Sequence, residues 1–562
     1  MTLLGFFQSA RLWTLLAFTL GLLPLSLTST EMWDGVVGMQ ALQAQDWPTL
    51  KAWLLDSNWY LTYGIFLIAD AVHSLIGLPY WVFFKLWILL TIAGIAFEVK
   101  TLATQVFDVP EPVAAWLPAL VFSFPLWYVF FSYTAMLGHL TCVLLALTGY
   151  RLVHAGNKAV AGVGLMLVSI SFQLASNCAF ILAIETARWA LSPQKKQWSY
   201  SRSAVLLLAS ITVFAATRLV WVPEGTYVGY NQFLNPLALS SWLAYAKYSV
   251  FFGTWLVLLA PVLAGFWYAR RAFADKQDAL RRALPQTALW PKAAALVWIA
   301  LAACAPYIVV GLGNPLFTAG LSSSSSVSAV LASNAASLPV SVWYGGWGSR
   351  HVLLLMVALV VCAGWLMGRA YCVAKPASAA NLRCVHISLI AAVCLNLAFC
   401  LPGHWAKLER LAKENTVVAA LAAKPPLPPG QVELVLEQSE DYLNSVYEAN
   451  HLLYRAYQAM RWTAVMLPDH PAVRAWGDEH RQLTLAQPPA MREKVARLNL
   501  MVDYDWSNPC LTVAKVTLPK LGVLDVLWRA EHAPQSLPSA QLTPVSSTCS
   551  VADAFWKQRS GY

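Results

Sequence analysis

The stretch STEMWDGVVGMQAL (29–42) puts Glu31 and Asp34 directly after the first apolar segment of the chain. Three residues apart, the two acids share a face wherever the stretch is helical. A carboxylate at such a place can act as a general base, taking the proton of a hydroxyl as its oxygen attacks. Asp34 is the first candidate and Glu31 its rival; a helix cap or a solvated loop acid is the other reading of Asp34. Cations at the ends of other apolar segments supply complementary chemistry. Arg350, beside His351, carries a guanidinium fork that suits phosphate oxygens. Lys85 and Arg218 are further candidates for holding anionic charge in a partly dry site. Arg350 can also be an interfacial anchor whose charge snorkels to headgroups. Asp70 and His73, again three apart, would line a substrate cavity or stand as polar groups at a membrane boundary. His139 reads as a hydrogen-bonded core residue. No tight metal-ligand spacing occurs and no cofactor is required; Glu31, Asp34 and His73 are the residues that would hold a divalent ion.

These groups need a scaffold, and composition names its class. The chain of 562 residues is 58% hydrophobic and 12% charged. A water-soluble surface cannot be covered from so few polar side chains, so the expectation is an all-α polytopic membrane protein. At roughly 20 apolar residues per crossing, the spans fall near 10–28, 82–99, 113–131, 137–153, 159–175, 176–191, 203–222, 247–267, 293–312, 351–369 and 385–401, about 11 transmembrane helices. The formal net charge of +10 does not point to nucleic acid. The basic residues gather in GYRLVHAGNK (149–158), ARWALSPQKKQWSYSR (187–202), 269–292 and 368–384, the bias of cytoplasmic loops. The loops 29–81, 132–136, 222–246 and 313–350 are poor in Lys and Arg and read as outside. This alternation holds from a cytoplasmic N-terminus if 59–79, which carries Asp70 and His73, lies at the interface instead of crossing. The opening segment reads as an uncleaved signal anchor.

Residues 1–402 thus form a transmembrane module. An amphipathic stretch and the Pro-rich KPPLPPG (424–430) follow as a linker over 403–430. Residues 431–562 then read as a soluble, extracytoplasmic α+β domain. It starts with a helical pattern, and the later LTVAKVTLP (511–519) and LGVLDVLW (521–528) look strand-like. Of ten cysteines, Cys510 and Cys549 fall in this domain. Outside the cytosol they would form a disulfide; two unpaired thiols is the other reading.

The order of these parts, with an acid after the first span and a long outer loop carrying an interfacial helix, resembles the GT-C glycosyltransferases. It resembles in particular the bacterial members related to protein mannosyltransferases and to the aminoarabinose transferase of lipid A. DGVVGMQAL (34–42) is similar to the family's acidic motif, and 59–87 resembles its interfacial helix and following span. SFPLWYVFFSYTAML (123–137) is similar to its third-span exit, and GSRHVLLL (348–355) resembles its Arg-Tyr pair, with His351 in place of Tyr. The likeness covers most of residues 1–400. The chain departs at Val36 and Val37, where relatives carry an aromatic, and at Gly35, where they carry a second acid.

The resemblance implies a membrane glycosyltransferase that moves a sugar, with inversion, from a polyprenyl-phosphate carrier to an extracytoplasmic glycan, lipid or protein acceptor. Asp34 would be the base, with Arg350 and His351, and Lys85 or Arg218, on the carrier phosphate. Tyr344 and Trp347, beside the serine-rich run of 320–349, would stack on the sugar or sit in the interface belt. Some family members use a divalent metal. Other partners would be membrane lipids, and the setting a bacterial inner membrane with the C-terminal domain in the periplasm. The alternatives are an O-antigen ligase or polymerase using diphosphate-linked glycan, a lipid-linked glycan transporter, or a non-enzymatic assembly protein. No P-loop occurs, which argues against an ATP-driven pump, and no internal repeat speaks for a secondary transporter.

Overall fold

The structure is a computed structural model. It describes residues 9–31, 34–56, 59–191, 200–219, 245, 253–272, 289–304, 352–374, 379–423, 431–437, 451–452, 455–456 and 510–548. Within a bilayer the backbone must satisfy its own hydrogen bonds, and apolar runs of this length do so as helices. Four of the described helices are long and apolar enough to cross a membrane: Tyr80–Phe107, Thr134–Val153, Leu353–Cys372 and Leu382–Ala422. Shorter apolar helices pack among them, and the protein is a multi-pass membrane protein of mainly helical build.

The first apolar segment comprises α1 (Ala10–Gly21) and α2 (Leu23–Ser26), with Pro24 in the first turn of α2. Proline cannot donate to a continuing helix but suits a new first turn. The outer loop holds α3 (Asp34–Gln43), α4 (Trp47–Asp56) and α5 (Tyr60–Ile76), the last ended by Gly77 at φ 69°. Helix α5 falls within the 59–79 strip. It buries Thr62, Ile65, Phe66 and Ala69 and leaves Leu67, Ile68, Leu75 and Ile76 bare.

Helix α6 (Tyr80–Phe107) is 28 residues long. The next apolar run, expected as one span over 113–131, is instead three pieces: α7 (Glu111–Ala114), α8 (Leu117–Ser123) and α9 (Trp127–Ser132). Pro118 starts α8, and Phe124, extended at ψ 130° before Pro125, ends it. Proline forces its predecessor out of the helical region. A 3-10 turn (Thr134–Met136) leads into α10 (Leu137–Val153), followed by α11 (Lys158–Ser171), α12 (Ala175–Leu191) and α13 (Tyr200–Leu219). Helices α10 and α11 touch backbone to backbone, because a Cβ on Gly149 would lie 2.7 Å from the Gly164 carbonyl. Small residues permit this close approach where lipid gives no hydrophobic drive between helices.

Helices α14 (Ala260–Ala272), α15 (Leu289–Ala303) and α16 (Leu353–Ala374) follow, and then α17 (Ala379–Ala422). The 44 residues of α17 run through Pro402 without a break. At 1.5 Å per residue that is about 66 Å, roughly twice the thickness of a hydrocarbon core. The amphipathic stretch after 402 is therefore the continuation of an apolar helix.

Beyond it, β1 (Gln431–Glu437), β2 (Cys510–Thr517) and β3 (Gln541–Thr548) form one sheet in that order. The β1–β2 pair is parallel and the β2–β3 pair antiparallel. LTVAKVTLP is a strand, as read. LGVLDVLW is not: Val523 to His532 is helical, with a π-helical turn at Asp525–Arg529. Gly522 N–H donates to Asp525 Oδ2 at 2.8 Å, so a local cap outweighs the strand-like composition. A small second core joins Val417, Leu421, Leu452, Val516 and Ala540.

Candidate active site

Lys85, in the second turn of α6, is 2% exposed. Its ammonium donates to the Thr30 carbonyl at 2.9 Å and to the Phe131 carbonyl. An ammonium has three donors, and backbone carbonyls take two. Those carbonyls belong to the irregular chain after α2 and to the last turn of α9, where helical bonding stops. Glu31, 8% exposed, closes the same junction. Its Oε1 accepts the Thr134 N–H at 2.6 Å, and its charge acts on Lys85. Thr134 Oγ1 also donates to the Gly35 carbonyl at 3.4 Å. The acidic motif, the start of α6 and the third-span exit therefore meet at one point.

Position 35 has no room for a side chain. A Cβ there would lie 1.7 Å from Glu31 Oε1 and 2.9 Å from Thr134 N. The Glu31 carboxylate occupies the room that a side chain at 35 would need. Asp34 is the first residue of α3, a place where a carboxylate meets the helix N-terminus favourably; its side chain lies outside the described residues, as does that of Arg218, near the end of α13.

Asp70 and His73 join a different set of contacts. Asp70 Oδ1 accepts from Tyr80 Oη at 2.8 Å and from Gln45 Nε2 at 2.9 Å. His73 Nδ1 lies 2.9 Å from the Leu78 carbonyl, and its ring packs on Tyr80 at 4.3 Å. Both side chains hold α5 to the first turn of α6. His139 packs on Trp59, ring centroids 4.7 Å apart. Arg350, His351, Tyr344 and Trp347 lie outside the described residues. So does Cys549, so the pairing expected with Cys510 falls outside them as well. Among the described residues no group of three or more His, Cys, Asp or Glu is placed to hold a metal ion.

One contributor had no signal in its local sequence. Glu531, from the C-terminal region, accepts from Ser29 N–H at 2.9 Å and Ser29 Oγ at 3.1 Å, and its charge also reaches Lys85. Ser29 and Glu531 are 502 residues apart.

A second charged cluster lies further along α6. Glu98 is held by Arg151 of α10 through bonds of 2.9–3.1 Å and by Thr148 Oγ1 at 3.0 Å. Glu185 of α12 accepts from Tyr150 Oη at 2.9 Å, lies 2.9 Å from His154 Nε2, and takes Ser203 Oγ of α13. Glu98, Gln105, Tyr150, Arg151 and Arg188 line a shallow cavity there.

No family model and no curated protein matches the chain. Among solved structures, ArnT from Cupriavidus metallidurans in the apo state is similar over 90% of this chain and 92% of its own, at a TM-score of 0.41 and 13% identity. So loose a likeness decides nothing about chemistry, which must come from the residues.

Proposed function

We propose that this protein is a membrane glycosyltransferase that moves a sugar, with inversion, from a polyprenyl-phosphate carrier to an extracytoplasmic glycan, lipid or protein acceptor. The observation that carries the reading is the buried Lys85 at the junction of α2, α6 and α9, with the charge of Glu31 acting on it and Asp34 three residues further on, at the start of α3. A cation kept out of water by protein exerts far more force on an incoming phosphate than a solvated one. Its third donor is the one the carrier phosphate would take. Glu31, with one oxygen committed to Thr134 N–H, is assigned to holding Lys85 and the third-span exit in register. Asp34 is assigned to accepting the acceptor proton. Arg350 and His351 remain candidates for a second clamp on the phosphate, and Tyr344 and Trp347 for the sugar. On this reading the Lys85 end faces away from the cytoplasm.

The test is sugar transfer by purified protein from a polyprenyl-phosphate-sugar donor, with folding followed by size-exclusion profile and thermal unfolding. Asp34→Asn should lower transfer about a hundredfold in a protein that elutes and melts as the parent does. Full activity in Asp34→Asn removes the base assignment. Transfer only from diphosphate-linked glycan replaces the donor assignment with that of a ligase.

A further inference from the structure

The segment that brings Glu531 to Ser29 has an outer face that no described residue covers. Val523, Leu524, Leu527 and Trp528 are 61%, 67%, 54% and 60% exposed. At positions i, i+1, i+4 and i+5 they share one side of the helical turns. The opposite side is packed: Val526, Ala530 and Leu537 belong to the main core with α17. The segment's acids turn inward. Asp525 takes Gly522 N–H and Arg529 Nη1, at 2.8 and 2.9 Å, and Glu531 takes Ser29. Two cations, Lys520 and Arg529, flank the bare apolar face.

Three ties fix where this face sits. Glu531 holds the chain just past the end of α2. Asn415 Nδ2 of α17 donates to the Ala530 carbonyl at 2.5 Å, and Ala540 N–H donates to the Thr416 carbonyl at 3.1 Å. Further back on α17, Leu401 and Trp405 are also bare. An apolar face with a tryptophan, flanked by cations and next to the end of a spanning segment, has the composition of an element seated at the bilayer surface.

From this we infer that residues 521–532 are a membrane-seated clamp, with Val523, Leu524, Leu527 and Trp528 in the lipid surface and Glu531 closing on the mouth of the first apolar segment. The C-terminal region is thereby positioned by lipid as well as by α17. The inference requires only that α1, α2 and α17 lie in a bilayer; it does not rest on the sugar-transfer reading.

Photocrosslinking tests it in the full-length protein, reconstituted in nanodiscs of phosphatidylethanolamine and phosphatidylglycerol. A p-benzoylphenylalanine replaces Leu524 or, separately, Trp528, both side chains largely bare and so tolerant of exchange. A third protein carries it at Gln535, exposed in the 3-10 turn that follows the segment. Irradiation followed by mass spectrometry of the peptides reads the adduct. The expected result is a phospholipid-mass adduct at 524 and 528 that is absent at 535. Crosslinks from 524 and 528 to another part of this chain, or to a second copy, would show that protein covers the face and overturn the inference. Unmodified peptide at both positions, or lipid adducts of equal yield at 535, would overturn it too.

Discussion

The two ends of α6 handle charge in opposite ways. At the Glu98 end, carboxylates meet side-chain donors on neighbouring regular helices: Arg151 and Thr148 for Glu98, Tyr150, His154 and Ser203 for Glu185. The helices there are complete, and ion pairs staple them together. At the Lys85 end the partners are backbone groups. Two carbonyls hold the ammonium and one N–H holds Glu31. Those groups are available because the chain leaves α2 and α9 at that level. Irregular backbone in an apolar bundle is tolerated where it is enclosed by protein or lines a cavity, and the buried charges here give it partners. One end is pairing added to finished helices; the other is interrupted helices built around charges.

Lys85→Met and Arg151→Ala separate the two ends most sharply. Lys85→Met keeps the bulk of the side chain and removes the charge, and transfer should fall by about a hundredfold or more. Arg151→Ala leaves Glu98 buried without its main partner and should cost about 3 kcal/mol of stability, near the lower bound for such a pair because the guanidinium is partly solvated. The molecules that stay folded should transfer sugar normally. Thermal unfolding and transfer assays on both variants give the contrast, and equal losses of transfer would abolish it.

Gly35→Ala comes next. Its methyl group would overlap Glu31 Oε1, so either the carboxylate or the loop must move, at about 1–3 kcal/mol. Transfer should drop along with stability. A crystal structure or a melting curve identical to the parent's would deny Glu31 its seat.

The smallest effect concerns pH. Burial, and then the charge of Arg455, push His451 down to about 3. A histidine kept neutral in the fold binds a proton more readily when unfolded. Its contribution to stability is complete above the ordinary histidine range near 6.5 and declines as pH falls from there toward about 3. Protection of the β2 amides, taken relative to their intrinsic exchange rates, should fall between about pH 6.5 and 4.5 in the parent. His451→Leu should flatten that response, while protection at the Glu98 end stays unchanged in both.

How much of this was legible in the sequence differs from part to part. The helix from 60 to 76 was visible as an apolar strip carrying Asp70 and His73, whereas the meeting of 123–137 with the chain around Glu31 and Gly35 was not. Lys85 was one of several cations near span ends. The break of 113–131 into three pieces was written in Pro118 and Pro125, yet average hydrophobicity hid it. LGVLDVLW misled because apolar density is similar in a strand and in a half-buried helical turn; the Gly522–Asp525 cap decided the matter.

The sequence alone determined that this chain lives in a membrane, because apolar composition and the periodicity of its helices are local properties that burial in lipid rewards directly. It also supplied the acids and cations from which a site could be made. Which of them meet was left to the tertiary structure. Lys85 gains its partners from chain that is distant in sequence, Asp70 and His73 are drawn off to brace α5 against α6, and Glu531 arrives from the other end of the molecule. Such pairings depend on where helices stop and how closely their backbones approach. Both are set by packing among segments that carry no mark of one another in their residues.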